Sequence, residues 1–169
     1  METILPSLFQ VSENLGEGHP DRLCDLIAES IVDIVIANDP LAKVCLDVAC
    51  KGNLVTILGN IELNNETNLD FEEIVKDCVR DIGYDNVDKG LSYKNLSIII
   101  ECEITMTKSK NKLSSKLPQG ATVYGYATDE HDTESLTSTA HYISSSICST
   151  LSELKSNKTL PWLYPDFSV

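Results

Sequence analysis

The sequence predicts an α+β fold: a two-layer sandwich in which a mixed or antiparallel sheet carries helices on one of its faces. Three observations lead there. Apolar residues recur at helical spacing in three separate segments, near the start, middle and end of the chain. Runs rich in β-branched residues stand between them, two of these joined by a short Gly-containing turn. The chain has 169 residues, 42% hydrophobic and 23% charged, which suits one domain, 1–169, with its own core.

Each element follows in order. "SLFQVSE", residues 7–13, is predicted as a first strand. A helix is predicted over 20–37, where Leu23, Leu26, Ile27, Ile31, Ile34 and Val35 form one apolar face. Pro20 suits its first turn, and the Asn38-Asp39-Pro40 stretch ends it. "KVCLDVAC" and "LVTILGNIEL" then read as a β-hairpin closed by the three residues "KGN", with Gly52 free to take a positive φ. A second helix is predicted over 70–82, with Phe71, Ile74, Val75, Cys78, Val79 and Ile82 as its stripe and Gly83 just past its end. "LSIIIECEI", residues 96–104, reads as a buried strand. Residues 105–121 carry Lys108, Lys110, Lys112 and Lys116 without an apolar period and are predicted to be a mobile loop. A third helix is predicted over 133–154, with Leu136, Ala140, Ile143, Ile147, Leu151 and Leu154 on its buried face. Prolines in "KTLPWLYPDFSV" exclude a regular helix there.

Composition narrows the function. A formal net charge of −13 argues against a general nucleic-acid or anionic-membrane binder, because phosphate backbones reward clustered Lys and Arg. It leaves room for a nucleotide at a local site. No apolar run approaches the ~20 residues that span a bilayer, and the start lacks a basic segment before an apolar one, so a cytoplasmic location is expected. The six cysteines form no CxxC pair and are expected to be free, buried thiols.

The densest chemistry lies in "NLGEGHPDRLCD", residues 14–25, at the mouth of the first helix. A helix N-terminus offers free backbone N–H groups and a positive dipole end, which suits phosphate. Asp21 could hold Mg²⁺, which takes one or two protein oxygens plus substrate phosphates. His19 could donate a hydrogen bond to a phosphate oxygen or leaving group. A purely structural explanation stands beside this one. Asp21 stabilises the dipole by about 0.3–1 kcal/mol, Pro20 starts the helix and the glycines allow the turn.

The exact string "GEGHPDRLCD" resembles a signature of the methionine adenosyltransferases, or S-adenosylmethionine synthetases, with Ser12, Glu13, Glu17, Gly18, His19, Pro20, Asp21, Cys24 and Asp25 in register. "DPLAKVCLDVACKGN", "DIGYDNVDKGLSYKN", "YGYATDE" and "KTLPWLYPD" are similar to further motifs of that family, in the same order. Together they run from about Leu8 to Asp166.

The resemblance implies an enzyme that joins ATP and methionine into S-adenosylmethionine and then hydrolyses the triphosphate, using Mg²⁺ and K⁺. It also implies three related domains, of which this chain resembles the first, and active sites formed between subunits whose sheet faces pack together. A homodimer, or a heteromer with a synthetase subunit, is expected through that face, which should be apolar. Carried over by position, His19 would contact the ATP phosphates and assist the departing triphosphate. Asp21 would be a Mg²⁺ ligand, and Glu13 would stand with the metal and the phosphates. Asp47 takes the place of a K⁺-associated glutamate and is one methylene shorter, so that contact is weakened.

Departures cluster at the methionine end. Asn60 stands where the family has a glutamate for the substrate ammonium. Ile104 and Thr105 stand at the place of its methionine glutamine, Pro118 at an aspartate for the nucleoside and Tyr164 at an arginine. Each lost charge-assisted contact costs about 1.5–3 kcal/mol. The chain alone is therefore expected to be inactive. It is read either as the N-terminal domain of a synthetase, or as a degenerate, non-catalytic paralogue that regulates or scaffolds an active subunit. An acidic module whose "GHPD" only begins a helix remains the third reading.

Overall fold

The computed structural model describes residues 9–85, 91–107, 122–130 and 135–169. Its elements run α1 (Pro20–Asn38), β1 (Lys43–Lys51), β2 (Leu54–Leu63), α2 (Phe71–Ile82), β3 (Ser97–Met106) and α3 (Thr139–Ser156). The fold is α+β, as predicted, and the sheet is mixed rather than antiparallel. β2 lies in the middle, antiparallel to β1 and parallel to β3. A parallel pair needs a crossover, and α2 falls in that connection.

Alternation along the strands sorts the sheet's two faces. Val55, Ile57, Ile61 and Leu63 of β2 are buried, and Val44, Leu46 and Val48 of β1 pack against the same cluster. Leu23, Ile27, Ile31 and Val35 of α1 meet them from above, with Phe71, Val75, Val79 and Ile82 of α2 beside. Burial of these aliphatic groups, each worth about 1.5–3 kcal/mol, holds the layers together. The opposite face of the sheet is open.

Two caps set the helix ends. Asp70 accepts the Glu73 N–H at the start of α2, and Gly83 closes it in the left-handed region at φ 103°. Buried Asp39 follows α1 and accepts the backbone N–H groups of Leu41, Asn64 and Asn65, tying the end of α1 to the loop after β2. Burial disfavours its charge, but the N–H groups of Asn64, Asn65 and Leu41 outweigh that and hold its carboxyl below the usual range. A depressed folded-state value means stability that is complete above the unfolded pKa of about 3.9 and is lost as pH falls through the folded value. Asp39→Asn should therefore flatten the acid limb of a urea-midpoint profile below about pH 4. Parallel profiles for the two proteins would show that Asp39 does not carry this term.

The structure corrects several expectations. Residues 9–14 form no strand of the sheet; Leu15 instead bridges Ser168 near the end of the chain. Residues 7 and 8 of that predicted strand lie outside the described residues, and the C-terminal segment pairs with residues 14–18 just beyond it. The hairpin loop is two residues, not three, with Gly52 at φ 57° in its first position. β3 continues through Met106, so residues 105 and 106 belong to a strand; the predicted loop from 108 to 121 lies outside the described residues.

α3 begins at Thr139, and its predicted stripe is not its buried face. Ser144 and Cys148 are buried, while Leu136, Ile143 and Ile147 are exposed. Small side chains let α3 lie close along residues 12–15. There Asn14 donates to the Ser144 hydroxyl at 2.6 Å, and the Cys148 thiol donates to the Leu15 carbonyl. Lys155 ties α3 to α2 through the Ile82 carbonyl at 2.7 Å. All six cysteines are free, but only Cys78 and Cys148 are buried, and Cys45 is exposed. No helix among the described residues is long and apolar enough to cross a membrane.

Candidate functional site

The stretch that opens α1 is built by both ends of the chain. Residues 14–18 pair with residues 165–169: Asn14 exchanges backbone bonds with Val169, Gly16 donates to the Phe167 carbonyl and Gly18 donates to the Pro165 carbonyl at 2.8 Å. The glycines are there because this approach leaves no room for a side chain. A Cβ on Gly18 would lie 2.5 Å from Pro165 Cβ, and one on Gly16 would lie 2.7 Å from the Pro165 oxygen. Buried Tyr84 completes the clamp, donating its hydroxyl to the Gly18 carbonyl at 2.7 Å. Burial, reinforced by the nearby Asp166 and Cys50, pushes that phenol up, so it stays a donor at neutral pH.

The clamp delivers His19 to the N-cap of α1. The Asp21 backbone N–H donates to His19 Nδ1 at 3.3 Å, and the Asp21 carboxylate stands 3.8 Å from the same ring nitrogen. Because Nδ1 accepts, the neutral ring carries its proton on Nε2, which is then a donor. The Asp21 side chain is 81% exposed and the His19 side chain 26% exposed. The pair expected at this junction is thus in contact, with its carboxylate open to solvent.

Glu13 is placed apart from that pair. With Glu17 and Arg22 it lines a cavity of about 580 Å³ whose far wall is Ser145, Ser149 and Ser152 of α3. Near the base of α1, the Cys50 thiol donates to the Pro20 carbonyl. Burial and then the hydrogen bond with Cys50 push the Cys24 thiol up to about 12, which keeps it a neutral, unreactive thiol.

The other expected positions lie on the open face of the sheet. Asp47, Asn60 and Thr105 alternate onto that face; Ile104 points to the helix side and does not share it. The parallel register seats Glu103 directly beside Asn60, and Glu101 beside Leu58. Sequence reasoning missed Glu103, because the pairing of β2 with β3 is not written in either strand. The open face is not apolar as expected: exposed Leu58 and Ile99 are interspersed with Asp47, Glu62, Glu101 and Glu103. Pro118 lies outside the described residues, and Tyr164 is half exposed near the C-terminal strap.

Each expected cation meets a single carboxylate, Asp21 for Mg²⁺ and Asp47 for K⁺. No group of three or more His, Cys, Asp or Glu among the described residues is arranged to hold a metal. Mg²⁺ does not need one: a single exposed carboxylate plus phosphate oxygens suffices, and Asp21 offers that. Asp47 likewise brings a single carboxylate to the open face, at the place expected for K⁺. The nearest carboxylate level with it, Glu101, lies two strands away, about 9.5 Å at the usual strand spacing.

Fold and site together define an α+β domain that presents a histidine and a carboxylate at a helix N-terminus beside an uncovered sheet face. The family model for the S-adenosylmethionine synthetase, N-terminal domain, matches residues 7–107. The chain belongs to that family. The match spans the helix junction and every strand of the sheet, through β3.

Proposed function

We propose that this chain supplies the phosphate and Mg²⁺ half of an S-adenosylmethionine synthetase site, and that it forms no S-adenosylmethionine by itself. The arrangement of His19 and Asp21 carries this reading. One backbone bond fixes the ring tautomer that donates from Nε2, and the adjoining carboxylate faces solvent. In this reading His19 donates to a phosphate oxygen of ATP and steadies the charge that grows on the departing triphosphate. Asp21 would hold Mg²⁺ jointly with those phosphates, and the ion would neutralise charge on the departing triphosphate. Gly18, Tyr84 and Pro165 position the ring. Asn60 and Thr105 themselves bring no countercharge to a substrate ammonium, and in this reading methionine binds more weakly than it would to a glutamate at position 60.

A second reading is favoured by those same neutral positions: a non-catalytic partner that docks on an active synthetase subunit through the open sheet face. Exposed Leu58 and Ile99 support such docking. In both readings the sheet face is the assembly surface, either with a second copy or with a synthetase subunit, and the protein works in the cytoplasm.

Titration calorimetry with ATP and Mg²⁺ tests the first part. Binding should depend on Mg²⁺, and Asp21→Asn should weaken it by about tenfold or more. Identical isotherms for wild type and Asp21→Asn would remove Asp21 from the site. Product assays test the second part. The chain alone should yield no S-adenosylmethionine, and turnover by the isolated chain would overturn the half-site. Co-purification with an active synthetase whose rate it alters, without turnover of its own, would select the regulatory reading.

A further inference from the structure

The helical layer carries a groove on the side away from the open sheet face. Leu26, Ser30 and Ile34 of α1 follow one another at intervals of four residues and form one half of its floor. Ile74 and Cys78 of α2, again four apart, form the other half, and the groove encloses about 560 Å³. The Cys78 thiol donates to the Ser30 hydroxyl across it, which ties the two halves of the floor together. The rim has one sign of charge. Asp70, Glu73, Asp77 and Asp81 line it, spaced three or four residues apart along α2, and no basic residue does. Eleven residues at helical rise make that row of carboxylates about 16 Å long, or three turns. Arg80 pairs with Asp77 and Asp81, which leaves the row acidic on balance.

We propose that this groove docks an amphipathic helix of a partner protein, one that inserts aliphatic side chains at intervals of three and four and lays a row of Lys or Arg along α2. The apolar floor supplies burial, and the matching repeat of the carboxylates supplies register and orientation. A groove rimmed by carboxylates repels nucleic acid and anionic membrane, and a purely apolar ligand would desolvate that acidic rim without bringing it any cation beyond Arg80. Because α1 and α2 cover the core side of the sheet, an occupant here leaves the open sheet face accessible, and the groove contains neither His19 nor Asp21.

A labelled 14-residue helical peptide of Leu and Lys, with leucines on one face, is the probe, read by fluorescence anisotropy against the whole chain. A scrambled peptide of the same composition, with no apolar face, should bind at least about tenfold more weakly. Glu73→Lys with Asp81→Lys should weaken the amphipathic peptide by about tenfold or more. Asp25→Lys with Glu29→Lys, which makes the same change in net charge at exposed positions of α1 outside the groove, should leave binding within about twofold. Thermal melts confirm that each variant is folded, and Glu73→Gln with Asp81→Asn replaces the reversal pair if it is not. Equal binding of the scrambled peptide, or an equal loss in the Asp25/Glu29 variant, would reduce the effect to bulk charge and overturn the proposal. So would a concentration-dependent dimer of the chain alone that the Glu73/Asp81 variant abolishes, since the groove would then belong to a second copy.

Discussion

Gly59→Ala is expected to destabilise the domain by about 3 kcal/mol or more, a large share of the roughly 5–15 kcal/mol that keeps a domain folded. Gly59 sits in the central strand opposite Leu46 with φ 143°, and a Cβ built there lies 2.1 Å from the Cys45 carbonyl oxygen. Both conditions oppose a side chain: the backbone lies where L residues rarely go, and the blocking atom is backbone that cannot rotate away. β2 pairs on both sides, so any shift that relieves the contact disturbs two ladders. Urea denaturation followed by circular dichroism measures the loss. A midpoint equal to that of wild type would show that β1 yields freely at Cys45. Asn60 is the next residue, so displacement of Gly59 also carries the open face with it.

Gly18→Ala should have the second largest effect, a loss of about 2–3 kcal/mol coupled to loss of the His19 geometry. The new methyl would meet Pro165 Cβ at 2.5 Å and Tyr84 Cε2 at 2.9 Å. Relief requires the C-terminal strap or the Tyr84 ring to move, and both hold the loop that delivers His19. Pro165→Gly removes the nearer obstacle, so the double variant Gly18→Ala/Pro165→Gly should recover part of the stability lost in the single one. A double-mutant cycle reads this coupling directly. Additive losses would mean that the strap does not set the space around Gly18. A structural role alone would leave ATP binding proportional to the folded fraction, whereas loss of the His19 position should weaken binding even where the variant is fully folded.

Gly18 and the nearby Gly16 illustrate how far a sequence can be read. The stretch "NLGEGHPDRLCD" looks like a turn that opens a helix, and the N-cap at His19, Pro20 at the first turn and Asp21 beside them were legible because capping is a local matter of a few residues. The motif order also pointed to the right family. What no local rule contained is the reason for Gly16 and Gly18: residues 165–169 close over them from the far end of the chain. The same distance hid the fate of residues 9–13, whose alternation suggests a strand but whose neighbouring segment, residues 14–18, finds its partner in the C-terminal strap.

α1 and α2 were read almost to the residue, because their stripes face the sheet and the period of burial equals the period of sequence. α3 was not. Its aliphatic stripe is intact, yet the helix buries Ser144 and Cys148 and leaves Ile143 and Ile147 exposed, since what it meets is a polar segment at close range. At the site, Asp47 and Asn60 could be placed on strands by pattern. That Asn60 has Glu103 as its neighbour, while Ile104 turns away from Thr105's face, depends on the register between β2 and β3.

The sequence by itself determined the α+β class, the two core helices, the hairpin and the family, because hydrophobic period, caps and ordered motifs act over short spans. Tertiary structure alone decided which face of α3 is buried, which strand edges meet and why two glycines stand before His19. Those outcomes rest on close contacts between residues distant in the chain, and steric fit of that kind leaves no local trace.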